Sequence, residues 1–336
     1  MIVRLIIRRL MFLVLVLFGL SLITFTLSHL VPADPARLIA GPRASKSAVA
    51  KVRHEYGLDK PVYRQYVHYV QGVARLDFGK SFTSRRPVRD DLARYLPATI
   101  ELGLYAFTLA ALVGIPLGVA SAVKRDSLVD HVSRFVSISG LALPVFWLAL
   151  MTQFLFYGKL HWFPDGQRLP IEVDPPQSIT RLYAIDALLT GDFDTFKVAI
   201  RHLAMPVAVL AYGSLAVVTR MVRGGMLEVL NQDYIRTARA KGLAQDAVVI
   251  KHALKNAMLP TVTSLGLQVG LLFSGAFLVE LVFSWPGIGR YTVEATENID
   301  YNAIMATTLV IAVIFVVVNL FVDILYLFLD PRISYS

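Results

Sequence analysis

The chain has 336 residues, 56% of them hydrophobic, and a formal net charge of +9. With a mean hydropathy of +0.59, that composition excludes an ordinary soluble protein of this size and indicates a polytopic membrane protein. The absence of cysteine excludes disulfides, thiol nucleophiles and Cys-ligated metal sites, and the positive charge flanks apolar stretches, which reads as membrane anchoring rather than nucleic-acid binding.

Six charge-free runs follow in order: Leu10–Ser28, Leu102–Val123, Phe135–Gly158, Leu203–Thr219, Asn256–Val279 and Tyr301–Val322. Each approaches or exceeds the ~17–25 residues a helix needs to cross a hydrocarbon core. The sequence therefore predicts an all-α fold with six transmembrane helices. Gly114, Pro116, Pro144 and Pro206 lie inside these runs and are compatible with membrane helices. The first run follows Arg4, Arg8 and Arg9 as a signal peptide would, but its length predicts an uncleaved first span.

Loop charge predicts that both termini are cytoplasmic. That orientation places Arg4, Arg8, Arg9, Lys124, Arg125, Arg134, Arg220, Arg223, Arg236, Arg239, Lys241, Lys251, Lys255 and Arg332 inside. The two shorter outside loops then carry only Lys159, Arg168, Arg181, Lys197, Arg201 and Arg290. Residues 31–97 are also basic, but a segment of that length escapes the charge rule. The expected organisation is an N-terminal tail and first span (1–30), an extracytoplasmic cap (31–97), a five-helix core (98–330) and a short cytoplasmic tail (331–336).

The cap should be helical. Val49, Val52 and Tyr56, then Tyr63, Tyr66, Val67 and Val70, have helical spacing around a turn at Gly57–Pro61. Gly79-Lys80-Ser81 is a fragment of a phosphate-binding loop, but Ala74 stands where the motif needs glycine. An ordinary surface loop is expected there. In the loop 159–202, Leu182, Ile185, Leu188 and Leu189 suggest a short amphipathic helix, and Asp192/Asp194 a solvated turn around Gly191. Trp285, with Pro286-Gly287, should mark the outer end of the fifth span.

The most distinctive stretch is Gln232 to Pro260, QDYIRTARAKGLAQDAVVIKHALKNAMLP, within a cytoplasmic loop 226–260. Leu227, Leu230, Tyr234 and Ala238 form one apolar stripe; Ile250, Ala253, Leu254, Ala257 and Met258 form a second. Gly242 falls where the first helix should stop, because glycine enters the left-handed region without a Cβ clash. Pro260 suits an early position in the next helix. The product is a helix–turn–helix corner on a membrane surface.

Arg236-Thr237-Ala238, three residues, Gly242 and a distal Leu259-Pro260 resemble the cytoplasmic signature of importer-type ABC permeases. TARAKG and HALKNAMLP, together with DPARLIAGP (34–42), GLDKPVYRQYVHY (57–69), SWPGIGR (284–290) and DPR (330–332), are similar to the first permease subunit of dipeptide and oligopeptide importers. Arg236 replaces the usual acidic residue, and Leu259-Pro260 lies further from the glycine than in the general pattern. The resemblance implies a multi-pass protein of the bacterial cytoplasmic (inner) membrane. Its implied partners are a second related permease, two cytoplasmic ATPases carrying ATP and Mg, an extracytoplasmic substrate-binding protein and membrane lipid. It implies no nucleic acid and no cofactor on this chain. It assigns ATPase coupling to Tyr234, Arg236, Thr237, Ala238, Arg239, Lys241, Gly242 and Leu243. Related permeases also carry nickel, glutathione or opine-like substrates.

The residues themselves argue against an enzyme. There is no HExxH, GxSxG or dinucleotide fingerprint, and Leu58 stands where a zinc motif starting at His54-Glu55 would need histidine. His29, His161 and His202 lie near span ends, as interfacial residues do. The central parts of the six runs carry no charge, which argues against a proton-driven secondary transporter or a channel; ATP dependence separates these classes, and product analysis would reveal a hydrolase. Glu101 and Glu280 sit at outer ends. Asp323, near the inner end of the last span, reads either as a proton site or, preferably, as a structural pair with Arg8 or Arg9. Ser137, Ser139, Gly140, Trp147, Gln153, Ser264, Gln268, Ser274 and Gly275 are candidates for a translocation pathway. Ser264, Gln268 and Gly275 share one face of the fifth span. Small and weakly polar residues equally serve helix packing, so both readings stay open.

Overall fold

The structure is a computed structural model that describes residues 2–30, 35–41, 43–55 and 57–329. Some side chains within these helices, Ser264, Ser274 and Asp323 among them, lie outside what is described. Among the described residues there is no β-strand; the chain is a succession of helices, α1 (Ile2–Leu30), α2 (Pro35–Ala40), α3 (Lys46–Glu55), α4 (Val62–Ala74), α5 (Val88–Val123), α6 (Leu128–Ala142), α7 (Val145–Thr152), α8 (Tyr183–Leu189), α9 (Phe193–Leu230), α10 (Asp233–Ala240), α11 (Lys255–Val282), α12 (Ile288–Glu297) and α13 (Tyr301–Leu329). Two π-helical segments, Gln153–Lys159 and Ala247–Leu254, follow α7 and precede α11.

Among the described residues four helices qualify as spans by length and composition: α1 over Ile6–Ser28, α5, α9, and α13 over Tyr301–Phe321. A bent pair is a fifth if it crosses as one unit: α6 and the helix from Val145 to Lys159 meet at 109°. The described apolar part of α11, Gln268–Val282, is shorter. The prolines explain part of this pattern. Pro116 and Pro206 lie inside unbroken helices. Pro144 does not: Leu143 before it is extended (φ −82°, ψ 127°), a conformation favoured ahead of proline, and the third apolar run is broken there.

The chain forms two compact units: Pro97–Arg290 with Met1–Ile2 and Val317–Ser336, and Val3–Leu96 with Tyr291–Val316. In the first, α9 is the axis. Asp192 caps it by accepting from the Thr195 N–H at 3.1 Å, so the Asp192/Asp194 pair is a cap and turn, with Gly191 at φ +74°. Buried residues occur all round α9, from Leu203 and Leu210 to Val222 and Met226, as in a helix enclosed by others. One core joins it to Leu102 and Ala106 of α5, Leu272 and Ala276 of α11, and the loop residues Phe283 and Trp285. Close approach is set by small residues: a Cβ on Gly118 would lie 2.7 Å from the Thr219 carbonyl oxygen.

In the second unit, Phe25 of α1 packs edge-on to Tyr66 and stacked on Tyr69 of α4, with centroids 5.2 and 5.8 Å away. Ser21 Oγ and Tyr66 Oη are 2.9 Å apart. The inward face of α4 is thus Tyr66 and Tyr69, while Tyr63 and Val67 are exposed; Gly57 makes the expected turn with φ +65°. The 79–86 loop is better anchored than an ordinary surface loop. Ser81 is buried and donates to Asp300 Oδ2 at 2.6 Å, the Thr83 N–H donates to the same oxygen, and Asn302 Nδ2 donates to the Lys80 carbonyl. A carboxylate at the Ser81 hydroxyl would repel phosphate, which disposes of the phosphate-loop likeness.

Candidate coupling corner and span residues

Residues 231–254 form the corner. α10 rests on α9 through Ile235 and Ala238, which pack with Val222, Met226, Val248 and Val249. Its outward face presents Tyr234, Arg236, Thr237 and Arg239, and Lys241 and Leu243 are exposed just beyond it. The break at Asn231–Gln232 resets the helical phase, so the predicted stripe shifts by one residue. Ile235 is fully buried, whereas Tyr234 is 43% exposed and accepts from Asn256 Nδ2 at 2.8 Å. Ala238 is a packing residue with 8% exposure, unlike the other members of the assigned set.

Gly242 ends α10 with φ +75°. Its N–H donates to the Arg239 carbonyl at 2.9 Å, and the Leu243 N–H reaches back to the Ala238 carbonyl at 3.4 Å, which together make a Schellman motif. No atom lies within 4 Å of a Cβ built on Gly242, so backbone conformation alone favours glycine. The second predicted stripe also changes phase. Its helix is π-helical over Ala247–Leu254, and the wider i→i+5 turn buries Val248, Val249 and Ala253 and leaves Ile250 63% exposed. Pro260 falls past the first turn of α11.

The proposed pathway residues occupy different settings. Ser139 Oγ and Tyr212 Oη are 2.7 Å apart, joining α6 to α9. Gln268 is 9% exposed and accepts from Ser214 Oγ at 3.2 Å, joining α11 to α9. Trp147 is 43% exposed. Gln153 Nε2 donates to the Asp165 carbonyl at 2.7 Å. A Cβ on Gly275 would be 3.6 Å from Leu210 Cδ1. The Ser264 side chain lies outside the described residues. So does that of Asp323, proposed partner of Arg8 or Arg9.

At the opposite end of α9 from the corner is a dense polar network that the sequence reading passed over. Arg168 and Glu101, 7% and 1% exposed, form an ion pair at 2.6 Å, and the guanidinium lies 3.4 Å over the Tyr183 ring. The Ala184 N–H donates to Glu101 at 2.9 Å. Glu280 accepts from Thr99 Oγ1 at 2.6 Å and from the Arg290 N–H at 3.0 Å. Trp285 is fully buried and donates to the Ala98 carbonyl at 2.9 Å, so it is a core residue rather than an interfacial marker. His202 is buried too. Its Nδ1 must donate, because its partner at 2.6 Å is the Gly166 carbonyl. α8 is held through Ala184, Asp186 and Ala187, with Leu188 and Leu189 exposed. The available signal was acidic residues bordering apolar runs; their pairing distances in sequence gave no way to match them.

At the corner end, Asp130 is fully buried and is gripped by Arg223, whose Nε reaches Oδ1 at 2.7 Å and Nη2 reaches Oδ2 at 3.0 Å. Among the described residues no group of three His, Cys, Asp or Glu is placed to hold a metal ion.

A multi-pass helical protein that displays a basic helical corner at one end has the build of a membrane transport subunit. The family described as binding-protein-dependent transport system inner membrane component matches residues 114–335, and its N-terminal companion matches residues 2–103. The chain is 47% identical to the probable D,D-dipeptide transport system permease protein of Escherichia coli (strain K12) over 96% of its own length and 95% of the relative's. It is 45% identical to the dipeptide transport system permease protein of Alkalihalophilus pseudofirmus, covering 98% of both chains, and 37% identical to the glutathione transport system permease protein of Escherichia coli O1:K1 / APEC, covering 98% of this chain and 99% of that one. The chain belongs to the binding-protein-dependent transport system inner membrane component family, as a multi-pass permease of the inner membrane.

Proposed function

We propose that this chain is one permease half of an ABC importer that carries dipeptides and short oligopeptides into the cell. The observation that carries the substrate class is full-length similarity to permeases named for dipeptides. In this reading six spans cross the membrane, α11 completing the set, with both termini cytoplasmic and residues 31–97 forming an outside cap. The chain pairs with a second related permease. Two cytoplasmic ATPases, which carry ATP and Mg, receive the corner formed by Tyr234, Arg236, Thr237, Ala238, Arg239, Lys241, Gly242 and Leu243. A substrate-binding protein delivers peptide from outside. ATP-driven closure of the ATPases rocks the permeases between inward-open and outward-open states.

Ser139, Trp147, Gln153, Ser264, Gln268 and Gly275 are proposed to flank the pathway, with Ser139 and Gln268 also tying helices together. Asp323 is proposed to pair with Arg8 or Arg9. Glutathione is the alternative cargo, supported by the 37% identical glutathione permease. The test is uptake of labelled dipeptide and labelled glutathione into proteoliposomes holding the full complex. Dipeptide uptake should require ATP and the binding protein and ignore a proton gradient. Uptake driven by the gradient alone would overturn the reading.

A further inference from the structure

We propose that Asp130 and Arg223 form the tie through which movement of the α10 corner is passed to α6 and the bent segment beyond it. This inference rests on the ABC-permease reading and adds positioning residues to it.

The tie is a built knot. The Asp130 carboxylate is fully buried, and Arg223 is 23% exposed. Besides the two bonds from Arg223, Asp130 Oδ1 accepts from Ser121 Oγ at 2.6 Å, and Oδ2 accepts from the Asp126 N–H at 3.0 Å. Arg134 Nη2 adds a longer contact at 3.5 Å. One carboxylate thus joins the end of α5, the 124–127 turn, the start of α6 and α9. A buried carboxylate with this many donors is held in one geometry, whereas an apolar contact would permit sliding.

The position of the knot gives it a mechanical role. Arg223 lies between Val222 and Met226, the α9 residues on which Ile235 and Ala238 of α10 rest. A load applied to α10 therefore reaches α9 at the turns that hold Arg223. At the other end of α6, a Cβ on Gly140 would lie 2.7 Å from Ala216 Cβ, and Ser139 bonds Tyr212. Fixed to α9 at both ends, α6 must move with it. It carries the 109° bend and the segment that holds Trp147 and Gln153. If the Asp130 end is released, α6 keeps its far attachment and the packing around Ser133 and Ser137, but its corner end loses its polar tie and can lag behind the corner.

The experiment uses the full complex in nanodiscs with Asp130→Asn or Arg223→Lys, reading ATPase rate, peptide imported per ATP, and assembly yield. The cysteine-free background also allows spin labels at Leu128 on α6 and Gln245 beyond α10, both exposed. In the unsubstituted complex the label separation should stay narrow and constant through the nucleotide cycle. In Asp130→Asn it should broaden and shift with nucleotide, and peptide per ATP should fall at least tenfold while binding-protein stimulation of ATPase survives. Arg223→Lys, which keeps the charge, should be intermediate. A lower yield with normal peptide per ATP and constant separation would reduce the pair to a structural contact and overturn the proposal. Should Asp130→Asn fail to assemble, Arg223→Lys decides: a normal ratio overturns the tie, a reduced one supports it. Absence of peptide-stimulated ATPase in the unsubstituted complex would contradict the transport reading itself.

Discussion

Thr99 Oγ1 and Glu280 Oε1 are 2.6 Å apart inside the protein, and the same hydroxyl oxygen accepts the Ile288 N–H at 2.8 Å. Thr99 therefore donates to the carboxylate and accepts from the loop, and Glu280 also takes the Arg290 N–H. Together they pin Ser284–Arg290 against α5 at Thr99 and against the end of α11. A Cβ on Gly287 would collide with Glu280 Oε1, so glycine there is required by close approach.

Glu280→Gln retains an acceptor for Thr99 and should assemble with transport reduced a few-fold at most. Glu280→Leu removes the acceptor that the Thr99 hydroxyl and the Arg290 N–H use, at roughly 1–3 kcal/mol per lost bond to a buried group. Gly287→Ala adds a direct clash. Both should lower the thermal midpoint of the purified permease pair and its yield. Equal stability of Glu280→Leu and Glu280→Gln in a melting assay would show that the hydrogen bonds contribute nothing.

Asp186 supplies a pH prediction. Burial pushes its carboxyl up, but Thr180 Oγ1 and the N–H groups of Thr180, Ile179 and Arg181 outweigh burial and hold it below the ordinary carboxylate range. A depressed value stabilises the loop above the unfolded carboxylate pKa of about 3.9, and that stability is lost as pH falls through the folded value. Hydrogen exchange at Thr180 and Arg181 should be slow and pH-independent, after correction for intrinsic rates, from neutrality down to about that value, and should speed up in more acid solution. Asp186→Asn should exchange fast throughout. Protection lost between pH 5 and 7 would contradict this account.

Much of this was legible before the fold. Gly242 announced its turn because a left-handed residue between two amphipathic segments has few substitutes. Helices α3 and α4 and the long apolar runs followed from periodicity. What escaped depended on phase and on distance along the chain. A two-residue break moved burial from Tyr234 to Ile235, and a π-helical stretch exposed Ile250. The third apolar run breaks at Pro144 while Pro116 and Pro206 lie inside unbroken helices, so proline alone did not mark where a helix ends. Asp130, Glu101 and Glu280 looked like border charges because their partners Arg223, Arg168 and Thr99 lie far away in sequence.

The proposed contact between residues 31–97 and a binding protein can be captured chemically. Ser84 is a poor cross-linking position, because its hydroxyl donates to Asp91 Oδ2 at 2.5 Å. Arg89 is 68% exposed and borders an open cleft of about 490 Å³ with Glu55, Asp77 and Lys80. In the cysteine-free chain, Arg89→Cys should cross-link to the peptide-loaded binding protein added from outside and remain inaccessible to a reagent confined to the cytoplasm. Labelling only from the cytoplasmic side would reverse the proposed orientation.

The central claim is that the α10 corner links ATP hydrolysis to peptide transport, and Gly242 tests it most directly. Space around it is open, so a substitution acts through backbone conformation, at roughly 1–2 kcal/mol for a residue forced left-handed. Asparagine tolerates that region and a β-branched residue does not. The measurement is ATPase rate of the reconstituted complex, with and without peptide-loaded binding protein, beside peptide uptake. Gly242→Asn should keep both stimulation and uptake within a few-fold of the unsubstituted complex. Gly242→Val should insert and assemble normally yet lose uptake and leave ATPase unresponsive to the binding protein. Full stimulation and uptake in Gly242→Val would contradict the assignment of this corner as the coupling element.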